Sequence, residues 1–571
     1  MTSLHAPRPV SPLTRMRQPL RRLPVHRCEV LVLGSGVSGL AAALGASAEG
    51  AHVMVLSKGA LDDTNTARAQ GGIAAAVGPE DAPSLHAADT LRLGYGLSDP
   101  LRVSGVTDGG PDAIHWLMEL GMEFDRGPEG QLDLGKEGGH RIARILHSGG
   151  TATGRVLQRT LLAAVRSRPQ VDLFPHAHAV ELLRDAEGEV AGVLALLGSG
   201  PGSPREPVVF EARAVVLATG GGGQLFRETT NPRSATADGL ALALRAGAEL
   251  RDLEFVQFHP TTLYLAGAAR FLISEVTRGA GGVLRDRSGT AFMAEVHPDA
   301  DLAPRDVVSR AIFRRMVETG ATHVWLDLRE VSDAGRRFPE LARICAAFGI
   351  DLATQPIPVR PAAHYFVGGV ATDSAGRTRL PGLWAVGECA STGFHGANRM
   401  GSNSLLEGLV EGRTVGRRAA HALRPRIRRF LPPSDLGSRL DAPYGAELEL
   451  ADMTYSLKSL MWRQVGIERD AEGLADAVER LDAWAGYLAS LGPFTPEGVE
   501  VVDMVQVAQV LARSAWFRTE SRGAHFRRDF PEPDPAWRAH TRVLPGEDGI
   551  DFDAEPVTSA DAPVAVGAQR R

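Results

Sequence analysis

The segment from Cys28 to Gly59, CEVLVLGSGVSGLAAALGASAEGAHVMVLSKG, constrains the fold more than any other part of the chain. An apolar run, a glycine turn, an alanine-rich stretch of helical length and a second apolar run follow one another in about 30 residues, which is the order of a βαβ unit. Within it GSGVSG, formed by Gly34, Ser35, Gly36, Val37, Ser38 and Gly39, suits a dinucleotide. Gly34 makes the tight turn, Gly36 removes a side chain that would hold the backbone away from a pyrophosphate, and Gly39 lets the helix pack close. The hexapeptide alone is weak; the strand before it and the helix after it make it specific. The acid expected about 20 residues further on is missing, because the second strand ends at Ser57 and Lys58. Those two residues can hold a ribose, and the missing acid favours a permanently bound FAD over a free NAD.

Two further buried-strand signals end in glycine. ARAVVLATGGGG runs from Ala212 to Gly223, and LPGLWAVGECA from Leu380 to Ala390. With the first run they are expected to lie parallel in one sheet, their C-terminal ends facing a common crevice where ligands of open α/β sheets bind. The fold class expected is α/β (α+β multidomain): a Rossmann-like FAD-binding domain with an inserted capping domain and a C-terminal helical domain. The boundaries expected are a flexible basic leader (1–27), the FAD-binding domain (28–252 and 362–431), the capping domain (253–361), the helical domain (432–544) and a loose tail (545–571). The helical assignment rests on LADAVERLDAWAGYLASL, Leu474 to Leu491, which has helical apolar spacing.

Composition excludes more than it asserts. The formal charge of −6, from 62 basic and 68 acidic residues, is too balanced to attract nucleic acid or anionic lipid over the whole surface. Three scattered cysteines, Cys28, Cys345 and Cys389, cannot assemble a disulfide framework or a metal cluster, so no metal is expected and a reducing, cytoplasmic setting fits. No apolar run approaches the ~18 residues that would span a bilayer. The first 27 residues hold six arginines, five prolines and no acid, but no apolar signal core.

The small-residue loop TNTARAQGGIAA, which begins at Thr64, ATGGGG, GLWAVGE and HGANRMGSNSLLEGLV complete a pattern. In order and spacing, from about Cys28 to beyond Arg522, it resembles the flavoprotein family of succinate dehydrogenase, fumarate reductase and L-aspartate oxidase. The resemblance implies that the loop carrying Asn65, Thr66, Ala67, Arg68, Ala69, Gln70, Gly71 and Gly72 lies against the isoalloxazine. Asn65 stands where membrane-complex members carry a histidine bonded covalently to flavin; an amide cannot make that bond, so FAD is expected to be held noncovalently. Asp238, Glu388, Ser404 and Leu405 are implied as further FAD contacts. The last two would offer backbone N–H groups at a helix start, whose positive dipole end favours charge gained on flavin reduction.

A small dicarboxylate needs at least two positive forks, because burying two carboxylates unpaired costs several kcal/mol each, and arginine pairs with them bidentately. By the same resemblance the substrate set is Arg305, Arg399, His259 and His364, joined by Ser274 and Glu275 in ISEVTRGAGG. That last segment departs from the family, with Ser274 in place of a threonine and Ala280 in place of a glutamate. Arg305 occupies the family's proton-transfer position; a guanidinium is a poor base at neutral pH, so an orienting role is expected of it as well. Glu137, in LGKEGGHRIARILHSGGTATGR, follows the oxidase pattern. A carboxylate there would repel succinate or fumarate but can bind the amino group of aspartate or accept its proton. The activity implied is oxidation of L-aspartate to iminoaspartate, electrons passing to dioxygen or fumarate, as the first step toward NAD through quinolinate, with quinolinate synthase downstream. The alternative is a soluble fumarate reductase or a succinate dehydrogenase flavoprotein subunit. The oligomeric state stays open.

Overall fold

The structure is a computed structural model that describes residues 4–15, 20–267, 270–423, 430–431, 448–491, 494–546 and 549–557. Strand Val25–Leu33 is paired in parallel on one side with Val53–Leu56, which pairs with Val171–Phe174, and on the other with Arg205–Leu217. Leu383–Ala385 pairs in parallel with the end of Arg205–Leu217, so the three apolar runs expected to share a sheet do share one. Val190–Gly198 and Ala177–Asp185 extend this sheet antiparallel. The parallel strands are near-continuous apolar runs because both faces are covered.

Helix Val37–Ala48 follows the glycine turn and packs along helix Asn403–His421. Small residues decide how close they come. Gly408, Gly412 and Gly416 recur every four residues on one face of the long helix; a Cβ on Gly416 would lie 2.0 Å from the Ala42 carbonyl oxygen and one on Gly412 2.7 Å from that of Ser38. This backbone-to-backbone contact aims the N-terminus of the long helix into the crevice beside the glycine turn.

The capping segment is a four-stranded antiparallel sheet in the order Val256–Leu263, Ile357–Phe366, Val324–Asp327, Val283–Arg285, with helix Arg305–Thr319 packed on it around a core of its own. The return boundary expected at 361/362 falls inside strand Ile357–Phe366, which runs unbroken from the cap to the crevice.

The two ends depart from expectation. In the leader expected to be flexible, Ala6–Pro7 pairs antiparallel with Gly549 and Ile550, Leu13, Leu20 and Leu23 are buried, and Ser11 Oγ donates to Glu181 at 2.8 Å. Proline is compatible with this place because an edge strand does not need every N–H. The tail expected to be loose continues as strand Gly549–Pro556, a hairpin partner of Ala539–Pro545. Its sequence GIDFDAEP alternates apolar and acidic residues, a strand period that its net acidity obscures. Positions 558–571 lie outside the described residues, as do 432–447 of the expected helical domain. That domain holds helices Leu450–Gln464, Ala471–Leu491 and Pro496–Phe517, then gives strand Ala539–Pro545 to a sheet that includes Leu250–Arg251, Gly369–Ala371 and Ala390–Ser391. Among the described residues no helix is long and apolar enough to cross a membrane.

Candidate active site

A cavity of about 540 Å³ runs along the C-terminal ends of the parallel strands and under the cap. Every expected site residue except Gly39 lines it. Gly39 works from behind: a Cβ there would lie 1.9 Å from the Gly34 carbonyl oxygen. Gly34 itself has φ +115°, a left-handed backbone open to glycine, and sits against the Ala218 carbonyl of the neighbouring strand end.

The nucleotide end is tightly organised. Thr66 Oγ1 accepts from the Val37 N–H at 2.9 Å, which lays the loop at Thr64–Ala69 over the glycine turn, and Thr64 caps its short helix by accepting from the Ala67 N–H. Ser57 Oγ donates to the Ala60 carbonyl oxygen and lies 3.0 Å from Ser35 Oγ. The Lys58 ammonium, expected to be available to a ribose, is shared between Asp238 at 2.8 Å and Glu500 at 2.9 Å. Asp238 opens helix Asp238–Ala246 and, despite burial, is held below the ordinary carboxylate range by Lys58. Arg68, half exposed at the cavity mouth, pairs with Asp63 at 2.9 Å.

At the other end Glu388 is half-buried, and desolvation pushes its carboxyl up to about 7; Oε1 accepts from the Phe366 N–H at 3.0 Å and Oε2 from the Asn65 amide at 3.4 Å. Ser402, with φ +61°, starts helix Asn403–His421, so Ser404 and Leu405 lie in the first turn of a 19-residue helix whose N-terminus faces the cavity. Free N–H groups and the positive dipole end make this a place for negative charge.

The cap supplies the polar groups opposite. Bulges in strand Val256–Leu263 on both sides of His259 re-aim that side chain. The His259 and His364 rings meet edge to face, centroids 5.3 Å apart. His259 Nδ1 accepts from the Thr261 N–H at 3.3 Å, leaving Nε2 to carry the proton, and His364 Nδ1 lies 2.9 Å from Thr230 Oγ1. Desolvation, together with the charges of Arg305 and Arg399, holds both imidazoles well below their ordinary pKa, so both are neutral, and His364 donates through Nε2 in the tautomer whose Nδ1 accepts from the Thr230 hydroxyl. Arg399 is buried, its guanidinium 4.8 Å over the Tyr365 ring, with Nη1 donating to the Met400 carbonyl oxygen at 3.1 Å and to Ser404 Oγ at 3.4 Å. Its Nε is buried with no partner, and among the described residues no carboxylate pairs with it. Burial and the neighbouring charge of Arg305 push its pKa down to about 10.

Glu275 lines the cavity. Although burial opposes ionisation, Arg305 and Arg278 hold it low, with Arg305 Nε donating to it at 2.9 Å; its carboxylate is occupied in fixing Arg305. Ser274 Oγ accepts from the Val276 N–H at 3.4 Å and keeps its proton free to donate. Ala280 packs against the cap's apolar core. Glu137 is buried, accepts from Ser402 Oγ at 3.0 Å and lies 3.9 Å from Arg305. Sequence reasoning passed over Tyr365, which stacks on Arg399, and Thr230, which holds His364; neither belongs to a motif, and only the adjacency of Tyr365 to His364 pointed toward it.

Comparison with known proteins agrees with this architecture. A family profile described as FAD binding domain matches residues 29–405, and one described as fumarate reductase flavoprotein C-term matches 454–570. L-aspartate oxidase of Streptomyces coelicolor is 45% identical over 534 residues, covering 90% of this chain and 91% of that one. L-aspartate oxidase of Mycobacterium tuberculosis is 43% identical over 526 residues, covering 91% and 95%. The chain belongs to the L-aspartate oxidase family. Among solved structures, an E. coli quinol fumarate reductase FrdA mutant superposes with a TM-score of 0.84 at 30% identity, over 94% of this chain and 98% of that one. Mycobacterium smegmatis Sdh1 superposes with a TM-score of 0.81 at 32% identity, over 94% and 95%. The L-aspartate oxidase family thus shares its fold with the fumarate reductase flavoproteins, and the FAD-binding match fits a crevice with a glycine turn at one end and an open helix N-terminus at the other.

Proposed function

We propose that the protein oxidises L-aspartate to iminoaspartate, with FAD held noncovalently in the crevice. The observation that carries this reading is the buried Arg399, without a carboxylate partner among the described residues, lining one cavity with two neutral imidazoles and the carboxylate of Glu137. A buried cation without a partner is costly unless a ligand brings the anion. Arg399 takes one substrate carboxylate in a charge-assisted pair, and His259, His364 and Ser274 donate to the remaining carboxylate oxygens without adding positive charges that would repel Arg399. Glu137 orients the amino group and accepts its proton, since the amine must be neutral for a hydride to leave the adjacent carbon. Arg305, fixed by Glu275, lies beside Glu137 and orients the same end.

Gly34 to Ser38, Asn65 to Gly72, Asp238, Glu388, Ser404 and Leu405 would hold FAD, which when bound supplies a hydride acceptor and passes electrons on to dioxygen or fumarate. Asn65 supports noncovalent attachment because a carboxamide nitrogen is not nucleophilic. The setting proposed is the cytoplasm, with iminoaspartate passing to a quinolinate-forming enzyme. A soluble fumarate reductase is the second reading, favoured by the structural likeness to fumarate reductase and disfavoured by Glu137. Anaerobic mixing of the holoprotein with L-aspartate, D-aspartate, L-glutamate and succinate separates them: L-aspartate alone should bleach the flavin absorbance rapidly. A spectrum left oxidised by L-aspartate would end the proposal.

A further inference from the structure

Glu137 sits in a slot with almost no clearance. A Cβ on Gly401 would lie 2.4 Å from Glu137 Oε2, one on Gly71 would lie 3.2 Å from Oε1, and Ser402 Oγ donates to Oε2. Such a slot places a carboxylate accurately only while the loop bearing Glu137 and the turn at Gly401–Ser402 keep a fixed separation. These two segments are about 265 residues apart in sequence, so something in the fold must join them.

His140 joins them. Its backbone N–H donates to the Glu137 carbonyl oxygen at 3.2 Å, and its Nε2 lies 3.0 Å from the Gly401 carbonyl oxygen. Arg144 Nη1 lies 3.3 Å from Nδ1. A guanidinium only donates, so Nδ1 must be the acceptor and Nε2 must carry the proton toward Gly401. Arg144, fully buried, is itself held by Asp81 at 2.8 and 2.9 Å and by Asp89 at 2.8 Å. Asp89 also accepts from the Arg141 backbone N–H at 3.0 Å and Nε at 2.6 Å, so the segment that follows His140 refers to helix Pro83–Leu93. The same helix reaches the turn beside His140, where His86, its ring centroid 5.8 Å from that of His140, has Nε2 2.8 Å from Asn403 Oδ1. Burial pushes His140 down to about 4, which keeps this neutral tautomer throughout the neutral range. His140 does not line the cavity.

We propose that His140, in a tautomer imposed by Arg144, is a positioning residue that sets the Glu137 carboxylate against the substrate amine and thereby the preference for an amino diacid over an unsubstituted one. This rests on the reading of Glu137 given above.

The test compares L-aspartate oxidation with fumarate reduction in holoprotein carrying His140→Asn, His140→Phe, His140→Gln or Glu137→Gln, and in the double variants with Glu137→Gln. Asn is too short and Phe has no donor to bridge to Gly401, whereas Gln keeps a donor of suitable reach. Displacing a group by about 1 Å costs up to 100-fold, so H140N and H140F should raise KM for L-aspartate about tenfold while KM for fumarate moves less than twofold. H140Q should recover most of the loss, and the H140N effect should vanish in the E137Q background. H140N carries the test if H140F does not fold. Equal losses on both substrates, or an H140N effect that persists in E137Q, overturn the positioning role. If E137Q separates the two substrates but neither bridge-breaking variant does, the role of His140 fails and the reading of Glu137 stands; if E137Q itself does not separate them, both fail.

Discussion

Replacing Arg399 with leucine should have opposite consequences for the empty protein and for its substrate complex. Burial and Arg305 lower the Arg399 pKa to about 10, which at 1.36 kcal/mol per pH unit corresponds to about 3 kcal/mol of penalty on its charged form. Arg399→Leu removes that penalty. It also removes the stacking on Tyr365, worth about 1 kcal/mol, and two hydrogen bonds to Met400 and Ser404 worth about 1 kcal/mol each. The terms nearly cancel, so the midpoint of thermal unfolding should stay within about 2 °C of the parent. The ligand complex instead loses a buried charge pair, which costs about 2–5 kcal/mol, or roughly 30- to several-thousand-fold in affinity. Two assays read the two effects: differential scanning calorimetry of ligand-free holoprotein, and kcat/KM for L-aspartate beside the Kd of succinate from perturbation of the flavin spectrum. A fall of more than about 5 °C with undiminished succinate binding would show that Arg399 supports the fold and that the carboxylate clamp lies elsewhere.

Other outcomes are open to direct measurement. Because His259 and His364 are depressed well below the ordinary imidazole value, kcat/KM should show no acid limb near pH 6.5 that His364→Asn removes; a limb abolished by that substitution would contradict their neutrality. The same depression has a sign for stability: below about pH 6.5 the unfolded imidazole takes a proton that the folded one refuses, so these two groups oppose folding increasingly as pH falls. Gly416→Val should lower the unfolding midpoint by several degrees and weaken FAD binding, because its Cβ would press on the Ala42 carbonyl at 2.0 Å; an unchanged FAD Kd, read by fluorescence titration of apoprotein, would dissociate the helix contact from the cofactor site. Acid precipitation should leave the yellow colour in the supernatant, and colour retained in the pellet would overturn noncovalent attachment.

What could be read from the sequence was whatever local chemistry encodes. The βαβ unit at Cys28–Gly59 is legible because strand, turn and helix are neighbours in the chain and each glycine answers a short-range steric demand. Three apolar runs ending in glycine foretold one parallel sheet for the same reason. Contacts between distant segments had no such signal. Ala6 pairs with Ile550, so a proline-bearing leader and an acidic tail that look loose separately become strands together. Glu275 reads as a ligand residue, and the fold adds Arg305 as its partner; Lys58 reads as a ribose donor, and the fold sets it between two carboxylates, one from the C-terminal helices. A side chain's type states which bonds it is able to make, while folding decides which partner arrives, because burial forces each charge to find its complement among groups the chain order does not bring near.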